Sequence, residues 1–217
     1  MACLLAAALV AVGCGAESTS SQPTVSLWVS ATAKDYRQVA AGVKLALAER
    51  GGRAGAFRVN YAGRQVSDDA RRAVLDAVTN ARASLQDTQA SAVITDAGAA
   101  SARPAITLLN EAGISTVVLG DDGLEREACS AKSDIYPAGH ATAIVVPAGS
   151  EPSARFASRF RSELGFAPAA PAWRAYQGAQ AVLASLAARG VATADSPPRL
   201  DRDALAAVLT RTHARCE

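Results

Sequence analysis

Carboxylates, a few serines and one loop histidine are the side chains that could carry acid–base or nucleophilic chemistry in this sequence. The acid–base candidates are Asp68, Asp69, Asp96, Asp121, Asp122 and His140. No nucleophile stands at a recognisable spacing from a base, and Ser26, Ser30 and Ser101 lack a GxSxG turn. No CxxC or Cys/His pattern has zinc-site spacing. We therefore expect a protein that is not an enzyme and that uses no metal or cofactor.

Charge and composition limit the partners. The chain has 22 basic and 20 acidic residues, so its net charge of +2 creates no strong field for a polyanion. We therefore do not expect the protein to bind nucleic acid. Hydrophobic residues make up 50% of the chain but aromatic residues only 5%, which favours a globular, helix-rich protein built from small side chains.

The first residues form a short apolar run, Leu4 to Val12, followed by Gly13, Cys14 and a Ser-rich stretch that ends at Pro23. A bilayer-spanning helix needs roughly 20 apolar residues, so this run is too short. A short apolar segment closed by small residues is typical of a secretory signal, although no Lys or Arg precedes Cys14 here. A buried element of the fold is the alternative explanation.

The segment Ala11-Val12-Gly13-Cys14 resembles the signal of bacterial lipoproteins, in which the cysteine is lipidated and becomes the mature N-terminus. The resemblance implies a signal peptide at residues 1–14, a flexible tether at residues 15–23 and a position on the extracytoplasmic face of the cell membrane. Cys129 and Cys216 then remain as a pair in an oxidising compartment, where disulfides persist. Closing so long a loop would stabilise the fold by about 4 kcal/mol in the chain-entropy model.

Strands and helices alternate along the rest of the chain. The predicted strands are Thr24–Ser30, Phe57–Tyr61, Ala92–Thr95, Ile114–Leu119 and Thr142–Val146. Thr32 to Asp35 fits a capping box that opens the first helix. Ser67 is expected to cap the second helix, with Asp68 and Asp69 complementing the helix dipole and with Val74, Leu75, Val78 and Leu85 as its buried stripe.

The third helix should begin just before Pro104, which falls in its first turn, and end at Gly113. Three helices are expected to close the chain: Pro152–Leu164, Ala172–Arg189 and Arg202–Arg211. This alternation predicts an α/β fold, a doubly wound parallel sheet in three α-β-α layers. Ligands of such folds bind beyond the carboxyl ends of the strands.

Several stretches resemble the type I periplasmic-binding proteins, specifically the Leu/Ile/Val-type solute-binding lipoproteins of ABC importers. The most specific is Asn110-Glu111-Ala112-Gly113-Ile114. The others are the helix Ala41 to Ala48, the turn Gly51 to Gly55, the strand and loop Ala92 to Ser101, Pro104 to Ile106, Ile135 to Gly139, and the late regions Arg155 to Phe166 and Ala172 to Ala179. Together they cover most of the chain from Thr24 onward.

The resemblance implies one lobe rather than two. Family members leave the first lobe after the fourth strand, build a second lobe and return for the closing helices, whereas here Val146 to Ser150 leads almost directly to those helices. We expect a single lobe over residues 24–217, with a core at residues 24–149 and closing helices at residues 150–217. One lobe cannot enclose a ligand between two halves.

The resemblance also implies a ligand site. Its expected members are Tyr36, the loop Gly98, Ala99, Ala100 and Ser101, and the loop Gly120, Asp121 and Asp122. Ala99 stands where relatives offer a hydroxyl, and the added aspartates oppose a ligand carboxylate. The amides of the Gly98–Ser101 loop could still hold an anion at a helix N-terminus. Trp173 is expected either near the cleft or in the core, and Trp28 in the core.

The resulting hypothesis is a lipid-anchored, branched-chain amino-acid-type solute-binding protein. Its partners would be a small ligand such as an amino acid, an ABC permease and the membrane. The alternatives are an interaction or sensor module that uses the exposed cleft face, which a homodimer could cover, and a remnant that binds no ligand.

Overall fold

The computed structural model describes residues 22–96, 98–120, 143–146 and 151–213. A six-stranded sheet runs through its centre. The strands are β1 Thr24–Thr32, β2 Arg53–Ala54, β3 Phe57–Val66, β4 Ala90–Thr95, β5 Ser115–Leu119 and β6 Ala143–Val146. Their order is β2-β3-β1-β4-β5-β6, with only the short β2 antiparallel to its neighbour.

Helices cover both faces of this sheet. They are α1 Tyr36–Glu49, α2 Ala70–Gln86, α3 Ala99–Glu111, α4 Ala154–Leu164, α5 Ala170–Leu186 and α6 Arg202–His213. α1, α5 and α6 contribute to the core on one face, and α2 and α3 pack together on the other. The predicted three-layer, doubly wound fold is therefore confirmed. None of the helices in the described ranges is long and apolar enough to cross a membrane.

The first face is filled by large apolar side chains. Leu27, Val43, Phe57 and Leu183 belong to its core, together with Leu205 from α6. α1 and α5 approach each other closely at Gly42, because a Cβ atom there would collide with the carbonyl oxygen of Ala172. A glycine at this point lets the two helix backbones pack in direct contact.

Alanines make up much of the core on the second face, and here the predicted buried stripe of α2 is wrong. Its buried residues are Ala73, Ala77, Asn80, Ala81 and Ser84. Val74, Val78 and Leu85 are only partly buried, and Leu75 is 65% exposed. α2 lies against α3, and its small side chains allow the two helices to approach closely. The prediction was wrong because hydrophobic periodicity gives most weight to large side chains such as Val74 and Leu75.

Two predicted helix caps differ from those observed. Thr32 belongs to β1, and Asp35 is the N-cap residue of α1 without a side-chain cap bond. Asp69, not Ser67, caps α2: its carboxylate accepts hydrogen bonds from the amides of Arg71 and Arg72. The interpretation of this aspartate as a capping charge is thereby confirmed.

Other boundaries shifted modestly. β3 is longer than predicted, and β2 forms an unpredicted hairpin with it. α3 begins at Ala99, so Pro104 lies inside the helix rather than in its first turn. Of the sequence-based assignments, Cys14, Asp121, Asp122, Cys129, His140 and Cys216 lie outside the described residues.

The closing helices α4 and α5 attach to α1 through aromatic rings and one polar network. Phe156 lies 4.8 Å from Trp173 and 5.0 Å from Tyr176, measured between ring centroids. The Glu49 carboxylate accepts hydrogen bonds from Tyr176 at 2.6 Å, Gln180 at 2.9 Å and Arg159 at 2.8 Å. Burial, followed by the bond to Glu49, raises the pKa of Tyr176.

Candidate functional site

The strand order places a crevice beyond the carboxyl ends of β1 and β4. These neighbouring parallel strands connect to helices on opposite faces, α1 after β1 and α3 after β4. A doubly wound sheet binds its ligands at such a switch point, because the diverging connections leave a gap there. The last residue of β1 is Thr32, and the first residue after β4 is Asp96.

Thr32 and Asp96 are hydrogen-bonded across this switch point. The Thr32 amide donates to Asp96 Oδ1 at 2.7 Å, and the Thr32 hydroxyl donates to Asp96 Oδ2 at 3.0 Å. Burial raises the pKa of the Asp96 carboxyl, the bonds from Thr32 act in the opposite direction, and the charge of Asp35 adds to the increase. The pair holds the β1–α1 and β4–α3 loops together.

The described charged groups around Asp96 do not pair with its carboxylate. No described lysine or arginine forms an ion pair with its carboxylate. Lys34, on the adjoining loop, is exposed, and its amide donates to Asp68 Oδ1 at 3.3 Å. Asp35, Asp68 and Asp96 therefore make this part of the edge acidic.

The expected loop at residues 98–101 begins α3. Gly98 is the exposed N-cap residue, and its carbonyl oxygen accepts the amides of Ser101 at 2.9 Å and Ala102 at 3.0 Å. The amides of Ala99 and Ala100 precede these and belong to the helix positions that lack an intrahelical partner. Such amides and the helix dipole favour a negatively charged group. The start of α3 would therefore attract an anion, whereas the neighbouring Asp96 carboxylate would repel one.

Gly120 directly follows β5 at the same edge and contacts Arg174, a cationic residue that the sequence analysis did not single out. Its φ of +73° is in the left-handed region, and its amide donates to Val146 at 2.8 Å. A Cβ atom here would lie 3.0 Å from Arg174 Cζ, so the guanidinium of α5 packs against the glycine backbone. No local pattern distinguishes Arg174, because its position depends on how α5 docks.

Tyr36 lies at the start of α1, where its hydroxyl is 3.1 Å from that of Tyr61 on β3. Both rings pack partly buried against the first core face. Gly63 makes room for the pair, because a Cβ atom there would collide with both hydroxyl groups. Burial, then the bond to Tyr36, raises the pKa of Tyr61. Tyr61 and Gly63 pair with Leu27 and Val29 in the middle of β1, so the Tyr36 hydroxyl lies over the sheet rather than at the ends of the strands.

The two tryptophans do not face the switch point. Trp28 packs against the alanine-rich core, and its Nε1 donates to Asp87 Oδ2 at 2.8 Å, just before β4 begins. This position confirms the expected packing role. Trp173 stacks on Tyr176, with ring centroids 5.6 Å apart, within the aromatic cluster of α4 and α5. Its neighbour Arg174, not Trp173, contacts the strand ends.

Over the described ranges, no three histidine, cysteine, aspartate or glutamate residues are grouped so as to hold a metal ion. Among the described residues, the edge carries the carboxylates of Asp35, Asp68 and Asp96, the Thr32 hydroxyl, the first amides of α3 and the Arg174 guanidinium. Asp121 and Asp122 belong to the same predicted loop as Gly120 but lie outside the described residues.

No protein-family model matches the sequence, and no curated protein matches it either. Solved structures do match the fold. The branched-chain amino acid transporter substrate-binding protein LivJ of Streptococcus pneumoniae, in complex with isoleucine, is 11% identical, with a TM-score of 0.61 over 87% of this chain and 88% of that one. An ABC transporter substrate-binding protein of Desulfitobacterium hafniense, in complex with Leu, is 11% identical, with a TM-score of 0.57 over 86% and 88% of the chains.

Another structure of an ABC transporter substrate-binding protein from Desulfitobacterium hafniense is 12% identical, with a TM-score of 0.60 over 87% of this chain and 89% of that one. The fold of the chain is therefore the type I periplasmic-binding-protein fold, as the sequence resemblance implied. These three structures are named as substrate-binding proteins.

Proposed function

We propose that the chain is a lipid-anchored extracytoplasmic solute-binding protein of the amino-acid type that works with an ABC permease. The observation that carries this proposal is the polar edge at the β1–β4 switch point, set in a fold shared with substrate-binding proteins solved with Leu and Ile. Among the described residues of this edge, no nucleophile is hydrogen-bonded to a base, and binding without catalysis is the function that we propose for it.

The proposal includes a single lobe over residues 24–217. The closing helices α4 and α5 pack on α1, and α6 packs beside β6, so they belong to the same layered unit as the six-stranded sheet. A ligand on one lobe stays partly in solvent and gains less apolar burial than a ligand enclosed by two. We therefore expect modest affinity, unless a second copy or another protein covers the edge.

Ligand binding is tested by thermal unfolding of the full chain with each common L-amino acid at millimolar concentration. A ligand that binds only the native state stabilises it by RT ln(1 + [L]/Kd), about 2.7 kcal/mol at a hundredfold excess over Kd. We expect a raised Tm with at least one amino acid. An unchanged Tm across the whole set, confirmed by calorimetric titration, would reject the amino-acid class.

Anchoring is tested separately with the Cys14→Ala variant. Radiolabelled palmitate should label the wild-type protein in bacterial cells, and the variant should be unlabelled and absent from the membrane fraction. Equal labelling of both proteins would contradict a lipid anchor at Cys14. Mass spectrometry of the unreduced protein would show whether Cys129 and Cys216 form the proposed disulfide.

An interaction module is the second candidate, because Thr32 already engages both oxygens of Asp96 at the place where a ligand would sit. In that case the edge would be covered by protein. Light scattering after size-exclusion chromatography separates the two: a stable dimer that dissociates when Asp35 and Lys34 are changed to alanine favours this candidate, and a monomer that binds amino acids favours the first.

A further inference from the structure

We propose that the outer edge of β3 binds an extended acidic peptide, which joins the sheet as an added strand. This inference is independent of the proposed function, because β3 lies on the other side of β1 from β4 and the switch point. Three features carry it: the open backbone of β3, two exposed arginines beside it, and the distance between those arginines.

β3 is an edge strand along most of its length. It runs from Phe57 to Val66, but among the described strands only the two-residue β2 pairs with its outer side, at Phe57 and Arg58. The Val59 amide makes one more hydrogen bond on that side, to the Gly52 carbonyl at 2.8 Å. The rest of such an edge offers backbone N–H and C=O groups to another strand.

The alternation of the strand shows which backbone groups point outward. The Arg58 amide donates to the Pro23 carbonyl on the β1 side at 2.9 Å, whereas the next amide donates on the outer side. The amides of Tyr61 and Gly63 therefore also point outward, and no described turn or loop residue bonds to them. The Gln65 carbonyl already accepts a hydrogen bond from a side chain of α2, so the open stretch ends there.

Two exposed arginines stand on one face of this edge. Side chains alternate along a strand, so Arg58 and Arg64 share the face of Val66, which is the alanine-rich side of the sheet. Both arginines are exposed, and neither forms an ion pair with a described residue. Their positions in an extended strand place their backbones about 20 Å apart. They therefore mark the two ends of a site for an extended chain with a carboxylate near each end.

The spacing favours an acidic partner over a second copy of this chain. If two β3 edges paired antiparallel about Tyr61, Arg58 of one copy would lie directly opposite Arg64 of the other. Like charges directly opposite each other destabilise a strand pair. Lys44 Nζ, 4.8 Å from the centroid of the Tyr61 ring, makes the other face of the edge basic as well. A strand with acidic side chains at the same spacing would meet opposite charge instead.

Two heptapeptides with blocked ends test the chemistry of the partner: Glu-Val-Thr-Val-Thr-Val-Glu, and the same peptide with lysine at both ends. The sequence reads alike in both directions, so it fits parallel and antiparallel addition, and its two end residues share one face. Fluorescence anisotropy of each labelled peptide with the full chain measures affinity. The acidic peptide should bind at least about tenfold more tightly than the basic one, and added salt should weaken it.

Charge reversal tests whether the two arginines set this preference. Arg58→Glu combined with Arg64→Glu should reverse it, so that the lysine peptide binds more tightly. Arg155→Glu combined with Arg161→Glu is the matched control, because it reverses two exposed arginines at the same sequence separation on α4. The control should keep the wild-type preference. A preference that is unchanged by the β3 substitutions, or lost equally in both variants, would overturn the assignment to this edge.

Amide hydrogen exchange of the wild type separates strand addition from general attraction between charges, and it needs no variant. The acidic peptide should slow exchange at the outward amides of Tyr61 and Gly63 and leave those of Asn60 and Ala62, which point toward β1, unchanged. Binding without this protection, equal binding of the two peptides, or binding of neither would overturn the inference. None of these results would affect the proposed solute binding, which the amino-acid titrations test separately.

Discussion

The two faces of the sheet are packed by different means. The face under α1, α5 and α6 is filled by Leu, Val and Phe side chains and is joined to α4 by an aromatic cluster. The face under α2 and α3 is filled largely by alanines, with Asn80 donating to Ser30 at 3.1 Å and to the Gln65 carbonyl at 3.2 Å. The first face gains stability from apolar area and the second from close helix approach.

This difference has a consequence for the candidate site. The switch point lies where helices of the two faces diverge, so its two loops are anchored by two kinds of core. The β1–α1 loop leads into the face of large side chains, and the β4–α3 loop leads into the alanine face. Thr32 and Asp96 join them with two direct hydrogen bonds. A substitution that shifts either core should therefore also change the geometry of the Thr32–Asp96 hydrogen bonds.

The largest expected effect comes from the large-residue side. Phe160 is fully buried in the cluster of α1, α4 and α5. Phe160→Ala should lower the free energy of unfolding by about 3–5 kcal/mol, because it removes apolar contact and leaves a cavity. Denaturant unfolding measures the change. Leu75→Ala on the exposed side of α2 is the control, and it should change the free energy of unfolding by no more than about 0.5 kcal/mol. Equal losses in the two variants would contradict the assignment of Phe160 as buried and Leu75 as exposed.

The alanine face should be more sensitive to added volume than to lost volume. Ala77 is 3% exposed within the core formed by α2, α3 and the sheet. Ala77→Leu should cost about 1–3 kcal/mol through overpacking. The same substitution at Ala83, which is only partly buried, should cost much less. If Ala77→Leu were neutral or stabilising, the claim of close helix packing on this face would be wrong.

Removing the indole donor of Trp28 tests the edge of the alanine core. Trp28→Phe keeps a ring but loses the hydrogen bond to Asp87, which should cost about 1 kcal/mol. Burial works against ionisation of Asp87, yet the bonds from Trp28 and the Gln89 amide leave its pKa below the usual value. The variant should therefore show a higher Asp87 pKa by NMR titration. An unchanged pKa would mean that Trp28 contributes packing alone.

The smallest effect concerns the stability of the edge itself. The pKa of Asp96 is raised in the folded state, so the native protein binds this proton more tightly than the unfolded chain does. Its contribution to stability is present below the unfolded pKa, near 3.9, and is lost as the pH rises through the folded value. The stability of the wild type relative to Asp96→Asn should thus decline as the pH rises from acid conditions. If the stability of the wild type relative to Asp96→Asn increased with pH instead, the pKa of Asp96 would be lowered rather than raised on folding.

Sequence patterns predicted the strands better than the buried sides of the helices. All five predicted strands are found, because runs that are rich in β-branched residues and bounded by turn residues favour extended backbone. The α2 stripe was missed because Val74 and Leu75 dominate any periodicity weighted by hydrophobicity, while close packing prefers Ala73 and Ala77. Arg174 left no local signal, since its contact with Gly120 requires α5 to lie across the strand ends.

The sequence predicted which loops lie beyond the strand ends, but it did not predict which side chains meet there. Gly98, Ser101 and Gly120 do lie beyond the strand ends, whereas the Tyr36 hydroxyl lies over the sheet. Thr32 was assigned to a helix cap, and Asp96 was considered only as a catalytic carboxylate. Their pairing joins residues 64 positions apart in the sequence, and no local spacing rule relates residues so distant.

The sequence by itself determined the layered α/β fold, because alternating strand and helix patterns with short connections allow few parallel topologies. The signal that ends at Cys14 stays a prediction from a contiguous run of sequence. Tertiary structure alone decided which sides of the helices are buried and what stands at the switch point. Those features depend on backbone separation between helices and on hydrogen bonds such as that of Thr32 with Asp96, and both arise only when distant parts of the chain meet.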